Sequence, residues 1–115
     1  MNAGDAVLLP DGISAHLYVV LAVLEDGSLV MCHFTKLRPH SDVTCIIQPG
    51  EHSFVTEVTS VRYDQAYHCC GDGVAAFERL IMRRFEPLSE ALFTRVRRGA
   101  LDSPQTPDKV KALLR

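Results

Sequence analysis

Short runs of apolar and β-branched residues alternate with turn-forming residues over the first 70 positions of the chain. Residues 6–9 form a brief apolar run, residues 16–24 a longer one rich in valine and leucine, and residues 29–35 a third. The Asp26-Gly27 pair between the second and third runs is typical of a tight hairpin. The pattern predicts a short first strand, a central strand and its antiparallel return strand.

Three further segments, residues 43–48, 54–58 and 60–68, continue this strand pattern. The first is β-branched and apolar, and the other two alternate between apolar and polar side chains. Together the chain offers five or six short strands at close spacing, with little helix among them. This arrangement favours a small antiparallel barrel over a layered α/β sheet.

The pattern changes after Gly71-Asp72-Gly73, which we interpret as a strand-to-helix turn. Apolar residues then recur at helical spacing over residues 74–81. Arg83 and Arg84 follow near the predicted C-terminal end of this helix, where cations complement the helix dipole. The sequence therefore predicts one short helix directly after the strands.

Two more helices are predicted towards the C-terminus. Pro87 suits the first turn of one helix, and Thr106 offers a hydroxyl cap for the other. The predicted fold class is mainly β with C-terminal helices: a small antiparallel barrel of five or six strands plus two or three helices. We expect one domain over residues 1–115, with the barrel at 4–70 and a helical extension at 74–115.

Composition agrees with a single globular domain: of 115 residues, 47% are hydrophobic and 23% are charged. The longest apolar run, residues 17–24, has eight residues. A membrane-spanning helix needs about 20. No basic segment precedes an apolar one at the N-terminus, so we expect no signal peptide, no membrane partner and a cytoplasmic location.

Charge is unevenly distributed along the chain. Residues 1–75 carry nine acidic and three basic side chains, a net of −6, whereas residues 76–115 carry five acidic and nine basic ones, a net of +4. A polyanion is expected to meet the C-terminal part first. The alternative is that the arginines there only cover solvated helix faces.

The four cysteines and nearby histidines do not have zinc-site spacing. Zinc sites pair their ligands roughly two to four residues apart. Cys32-His33 and Cys69-Cys70 are adjacent instead, and neighbouring residues of a strand point to opposite faces. We predict reduced, buried, structural thiols, no metal site and no cofactor.

One group of polar residues lies where the predicted strands end. His16 opens the second strand and Thr35-Lys36 closes the third. The hairpin between these strands brings their distal ends together, so these residues should be neighbours. Other polar residues lie in the loops that follow: Arg38, His40 and His52.

This group suits RNA chemistry. A histidine, a hydroxyl and one or two cations could bind a phosphodiester and move protons during attack by the RNA's own 2′-hydroxyl. The alternative is a polar loop rim without chemistry.

The opening Gly4-Asp5-Ala6-Val7-Leu8-Leu9, the apolar strand at 17–21, the strand ending in Thr35 and the later strand at 61–67 resemble the PemK/MazF-type toxins of bacterial toxin–antitoxin modules. The resemblance covers about residues 4–68 and implies an SH3-like barrel. It also implies a metal-independent endoribonuclease, usually a homodimer, that is neutralised by an antitoxin peptide.

The resemblance implies roles for particular residues. Thr35 matches the family's catalytic threonine or serine, and the family's catalytic arginine falls at His16. On this reading His16 and Thr35 are the candidate catalytic residues. The candidate substrate-binding residues are Lys36, Arg38, His40 and His52. Because histidine lacks the bidentate, permanently charged grip of arginine, a degenerate relative without activity stays open.

A second hypothesis is a non-catalytic SH3-like module whose barrel and arginine-bearing helices dock a protein or a nucleic acid. Several apolar residues of the C-terminal helices could also form a homodimer surface. The alternative is that they pack onto the barrel. These residues are Phe93, Val96, Leu101, Leu113 and Leu114.

Overall fold

The computed structural model describes all residues, 1–115, and contains seven β-strands and three α-helices. The strands are β1 Ala6–Asp11, β2 Ser14–Val23, β3 Leu29–Lys36, β4 Ile46–Ile47, β5 Thr59–Val61, β6 Tyr67–Cys69 and β7 Arg83–Phe85. The helices are α1 Asp72–Leu80, α2 Glu90–Asp102 and α3 Asp108–Leu114. The predicted fold class, mainly β with C-terminal helices, is confirmed.

All strand pairs are antiparallel, in the order β4-β5-β3-β2-β1-β7, with β6 also pairing with β3. The predicted β2–β3 hairpin is present. Asp26 Oδ1 accepts from the Ser28 backbone N–H at 2.9 Å, and Gly27 adopts a φ of 84°. A left-handed residue of this kind is what a tight hairpin turn requires.

Both faces of the β2–β3 hairpin are buried. Leu17, Val19 and Leu21 face a main core that also includes side chains of α2 and α3, whereas Val20 and Met31 face a smaller core closed by Phe77 of α1. Because side chains alternate along a strand, burial on both faces explains the unbroken apolar run of β2.

The main core also receives the five helical apolar residues considered for self-association. Val96 and Leu114 are buried in it. Phe93, Leu101 and Leu113 are partly buried against it. The main core thus takes up these side chains wholly or in part. None of the helices is both long and apolar enough to cross a membrane.

Several predicted boundaries differ in the structure. Of residues 43–48 only Ile46–Ile47 is a strand, and residues 54–58 form none. Residues 60–68 divide into β5, a 3-10 turn at Tyr63–Gln65, and β6. Pro107, not Thr106, is the residue at the start of α3, and the Thr106 hydroxyl is buried without a hydrogen-bond partner.

The predicted position of Arg83 and Arg84 at the end of α1 is wrong. The helix ends at Leu80, and both arginines lie in β7, which pairs with β1 through Leu8↔Arg83 and Val7↔Arg84. The outer edge of β1 has backbone N–H and C=O groups that need hydrogen-bond partners, and pairing with β7 provides them. Both arginine side chains are exposed, so no apolar pattern marks this strand.

The strand path is open, because β4 and β7 at its two ends do not pair with each other. Side chains close the gap, which we call the seam. His52 is buried there and its Nε2 lies 2.8 Å from the Glu86 carbonyl oxygen, while its Nδ1 accepts from the Phe54 N–H at 3.1 Å. Phe54 also packs edge-on against Phe85, with ring centroids 5.3 Å apart.

Glu86 makes the seam sensitive to acid. The Ser53 hydroxyl donates to Glu86 Oε1 at 2.6 Å and holds the pKa of this carboxyl at about 2, below its ordinary 4.5. Because the folded pKa is depressed, the contact stabilises the fold above about pH 4.5 and loses that contribution as the pH falls towards 2.

We therefore expect the Tm of the protein to fall more steeply between pH 4.5 and pH 2 than the Tm of Glu86→Gln. Thermal unfolding followed by circular dichroism at several pH values measures both slopes. The matched control is Glu25→Gln, at an exposed position outside the seam. Equal slopes for the wild type and Glu86→Gln would show that Glu86 does not contribute to the acid sensitivity of the fold.

Candidate functional site

The structure brings four of the six predicted site residues to one cleft. His16 on β2 and Thr35 on β3 line a cleft of about 430 Å³ together with Lys36 and Arg38. We call this the first cleft. Other side chains on its wall include Ser14, Phe34, Phe54, Thr56, Glu57 and Thr59.

His16 is held by two oxygen atoms of the protein. Its Nε2 lies 3.0 Å from Asp11 Oδ2, and its Nδ1 lies 3.2 Å from the Phe34 carbonyl oxygen. The side chain keeps 24% of its surface exposed, and Asp11 is exposed as well. A carboxylate beside an imidazole orients the ring.

A second histidine packs directly behind the first. The ring centroids of His16 and His33 lie 4.8 Å apart, and those of Tyr18 and His33 lie 4.9 Å apart. Burial, followed by the nearby His16, lowers the pKa of His33 to about 4. His33 is therefore neutral at neutral pH and serves as a packing surface for His16.

The hydroxyl and the cations lie at the end of β3. Thr35 is half-buried, whereas Lys36 and Arg38 are exposed. Lys36 Nζ lies 3.3 Å from Glu57 Oε2, but both side chains are more than half exposed, so this pair is weak and exchangeable. The first cleft thus offers two cations that an anionic ligand can recruit.

His40 lies in an adjoining second cleft of about 260 Å³. This second cleft shares Thr35, Lys36 and Arg38 with the first. Its other lining residues are His40, Ser41, Asp42, Arg62, Asp64 and Gln105. The two clefts therefore form one polar groove that passes the end of β3.

His52 is not brought to either cleft. It lies in the seam, with 1% of its side chain exposed and both ring nitrogens near protein partners. We therefore leave it out of the site proposed below. Sequence reasoning placed it in a loop after β4 but had no means of showing that the loop folds inwards against Glu86.

Asp11, Arg62 and Asp64 were missed by the sequence reasoning. Asp11 is the last residue of β1 and pairs with Ser14, the first residue of β2, which brings its carboxylate close to His16. Arg62 and Asp64 flank Tyr63 in a segment whose alternating pattern predicts a continuous strand. Two residues apart in a strand, they would lie on the same face. They are also close together in the observed structure, where they form an ion pair at the 3-10 turn.

The cysteines are all free thiols. Cys32, Cys45 and Cys69 are buried as expected, whereas Cys70 is exposed. Burial raises the pKa of the Cys32, Cys45 and Cys69 thiols, which makes them poor nucleophiles. The structure contains no group of three or more His, Cys, Asp or Glu side chains arranged to hold a metal ion.

The arginines of α2 do not line either cleft. Arg95 forms an ion pair with Glu51 and donates to the Ile46 carbonyl at 2.8 Å, while Arg97 donates to the Leu114 carbonyl at 2.9 Å. These contacts attach α2 to β4 and to α3. The basic C-terminal part therefore uses some of its charge inside the fold.

No protein-family model, curated protein sequence or solved structure matches the chain. What the site can do therefore follows from its geometry.

Proposed function

We propose that the protein is a PemK/MazF-like, metal-independent endoribonuclease with an SH3-like barrel, acting on RNA in the cytoplasm. One observation carries the proposal: His16, Thr35, Lys36 and Arg38 line a single cleft although they come from two strands and a loop. This set supplies a proton carrier, a hydroxyl and two cations. An antitoxin peptide and a second copy of the chain are the partners that the family resemblance implies.

In the proposed reaction, the RNA's 2′-hydroxyl gives its proton to a solvent water molecule and attacks the adjacent phosphorus, and the bond from phosphorus to the 5′-oxygen breaks. The products are a 2′,3′-cyclic phosphate and a 5′-hydroxyl. Protonated His16 gives its Nε2 proton to the leaving 5′-oxygen, exchanging its exposed partner Asp11 for the substrate. Lys36 and Arg38 stabilise the charge on the phosphorus oxygens, and Thr35 donates a hydrogen bond to one of them.

A second candidate is a non-catalytic RNA-binding module in the same cleft. It is favoured by the two oxygen atoms that already hold the His16 ring, Asp11 Oδ2 and the Phe34 carbonyl. If these bonds persist when RNA binds, His16 cannot transfer a proton. The phosphate-binding cations would still act, because they do not depend on that exchange.

Binding and cleavage are measured separately. Purified protein is incubated with 5′-labelled single-stranded RNA in excess EDTA, and the ends of any products are analysed. A 2′,3′-cyclic phosphate on the 5′ fragment supports the endoribonuclease. Salt-sensitive binding without products supports the binding module, and the absence of both contradicts the proposal.

Lys36→Ala and Arg38→Ala are each expected to weaken RNA binding and to reduce the slope of log affinity against log salt by about one. The reason is that each cation displaces one counterion from the RNA backbone. Fluorescence anisotropy at several salt concentrations measures the slope. Lys109→Ala, at an exposed position of α3 outside both clefts, is the matched control. Equal slopes for all three variants would show that the RNA does not bind at Lys36 and Arg38.

A further inference from the structure

The two clefts differ in the chemistry of their walls. The first has Phe34 and Phe54 among its lining residues, whereas no hydrophobic residue lines the second. An apolar group gains little binding free energy in a wholly polar cleft, so hydrogen bonds determine which ligand binds there. Since the clefts meet at Thr35, Lys36 and Arg38, a strand bound in the first can extend into the second.

Two hydrogen bonds orient the side chain of Arg62 in the second cleft. Its Nε donates to Asp64 Oδ1 and its Nη2 donates to Asp64 Oδ2, each at 2.9 Å. The backbone N–H of Arg62 also donates to the His33 carbonyl at 2.9 Å, which fixes the residue against β3. Asp64 thus occupies one edge of the guanidinium and restricts its rotation.

The other edge of the guanidinium is not engaged by Asp64. That edge presents an N–H of Nη1 and the second N–H of Nη2, side by side. Two parallel donors of this kind match a pair of acceptors in one plane, either two phosphate oxygens or the O6 and N7 atoms of guanine.

Charge decides between these ligands. Asp64 stays ionised because Arg62 donates to it and lowers its pKa, so the pair is electrically neutral as a unit. Asp42, whose pKa is also lowered by its hydroxyl partners Ser103 and Thr44, adds a negative charge to the same cleft. A phosphate is drawn to Lys36 and Arg38, which the two clefts share, whereas the neutral Arg62–Asp64 pair near Asp42 suits an uncharged base edge.

We propose that the second cleft seats a guanine base of single-stranded RNA, with Arg62 as the residue that determines specificity. The inference rests on the proposed function, because the guanine belongs to the nucleotide beside the phosphate held at Thr35-Lys36. Single-stranded RNA is the substrate class, since its unpaired bases expose the edge that Arg62 reads. Gln105, on the same wall, supplies an amide that can meet a further polar atom of the base.

The test uses short 2′-fluoro oligouridylates with one central guanosine, adenosine or 7-deazaguanosine. These probes have no 2′-hydroxyl and cannot be cleaved by internal attack. We expect the guanosine probe to bind about 5- to 100-fold more tightly than the adenosine probe. The 7-deazaguanosine probe lacks the N7 acceptor and should lose most of that advantage.

The variant for this test is Arg62→Lys, which keeps the charge but loses the two parallel donors. It should bind all three probes about equally, at the affinity of the wild type for the adenosine probe. Arg98→Lys, an exposed position of α2 outside both clefts, is the control and should keep the guanosine preference. The Arg62–Asp64 pair is well exposed, so its loss should leave folding intact.

The outcomes separate the two proposals. If the wild type binds the probes without preferring guanosine, the second cleft does not select guanine, although RNA binding remains supported. The same conclusion follows if the Arg62→Lys protein keeps the preference. A wild type that binds none of the probes, and binds no natural RNA either, removes both proposals.

Discussion

Replacing His16 with alanine should lower the rate of RNA cleavage by roughly 10²- to 10⁴-fold, the range expected when one positioned proton carrier is lost. Thr35→Val should reduce the rate as well, because it removes the hydroxyl and keeps a side chain of similar shape. RNA affinity should change only a few-fold in both variants, since Lys36 and Arg38 remain. Single-turnover cleavage of 5′-labelled RNA, at saturating protein, separates the chemical step from binding.

His68→Gln is the matched control for the His16 variant. His68 bonds through Nε2 to the Ser28 hydroxyl at 2.7 Å and lines neither the first nor the second cleft. The control should cleave RNA at nearly the wild-type rate. If His16→Ala and Thr35→Val both cleave as fast as the wild type, the catalytic roles assigned to these residues are wrong.

The second large effect is expected for stability. Gly99→Ala should lower the free energy of unfolding by about 2 kcal/mol, a typical cost of overpacking a core. Gly99 lies in α2 where the helix crosses Tyr63, and an added Cβ would overlap the Tyr63 hydroxyl and lie 2.8 Å from Tyr63 Cζ. Tyr63 is fully buried and donates to the Val96 carbonyl at 2.7 Å, so it has no free space to move into.

Thermal and urea unfolding measure this loss, and we expect a Tm about 8 °C lower. Gly73→Ala is the matched control, because its Cβ would make an ordinary contact 3.7 Å from Cys69 Sγ. Alanine in a helix is intrinsically favoured over glycine, so this control should be neutral or slightly stabilising. Equal stability of the two variants would contradict the close approach of α2 to Tyr63.

The parts of the fold with local signals could be predicted from the sequence. The β2–β3 hairpin follows from an Asp-Gly turn between two apolar runs, and both the turn and the pairing are present. Strand β7 had no such signal, since two of its three residues are exposed arginines. It forms because the edge of β1 needs a partner, which is a property of the assembled sheet.

The same distinction applies to the site. The proximity of His16 and Thr35 could be predicted, because a hairpin fixes where the ends of its two strands lie. The burial of His52 could not, since it depends on a contact with Glu86, which is 34 residues away. The position of Arg62 could not be predicted either, because it follows from the pairing of β5 with the C-terminal end of β3.

The seam has a mechanical consequence. Elsewhere, neighbouring strands are joined by backbone hydrogen bonds, whereas the seam is closed by contacts that involve side chains of residues 52–54 with residues 85 and 86. Local opening begins where the fewest interactions must be lost, so this flank is where the sheet can hinge. Phe54, Thr56 and Glu57 lie on the wall of the first cleft, so opening of the seam would move this wall. The contacts that close the sheet thus also set the position of one side of the cleft.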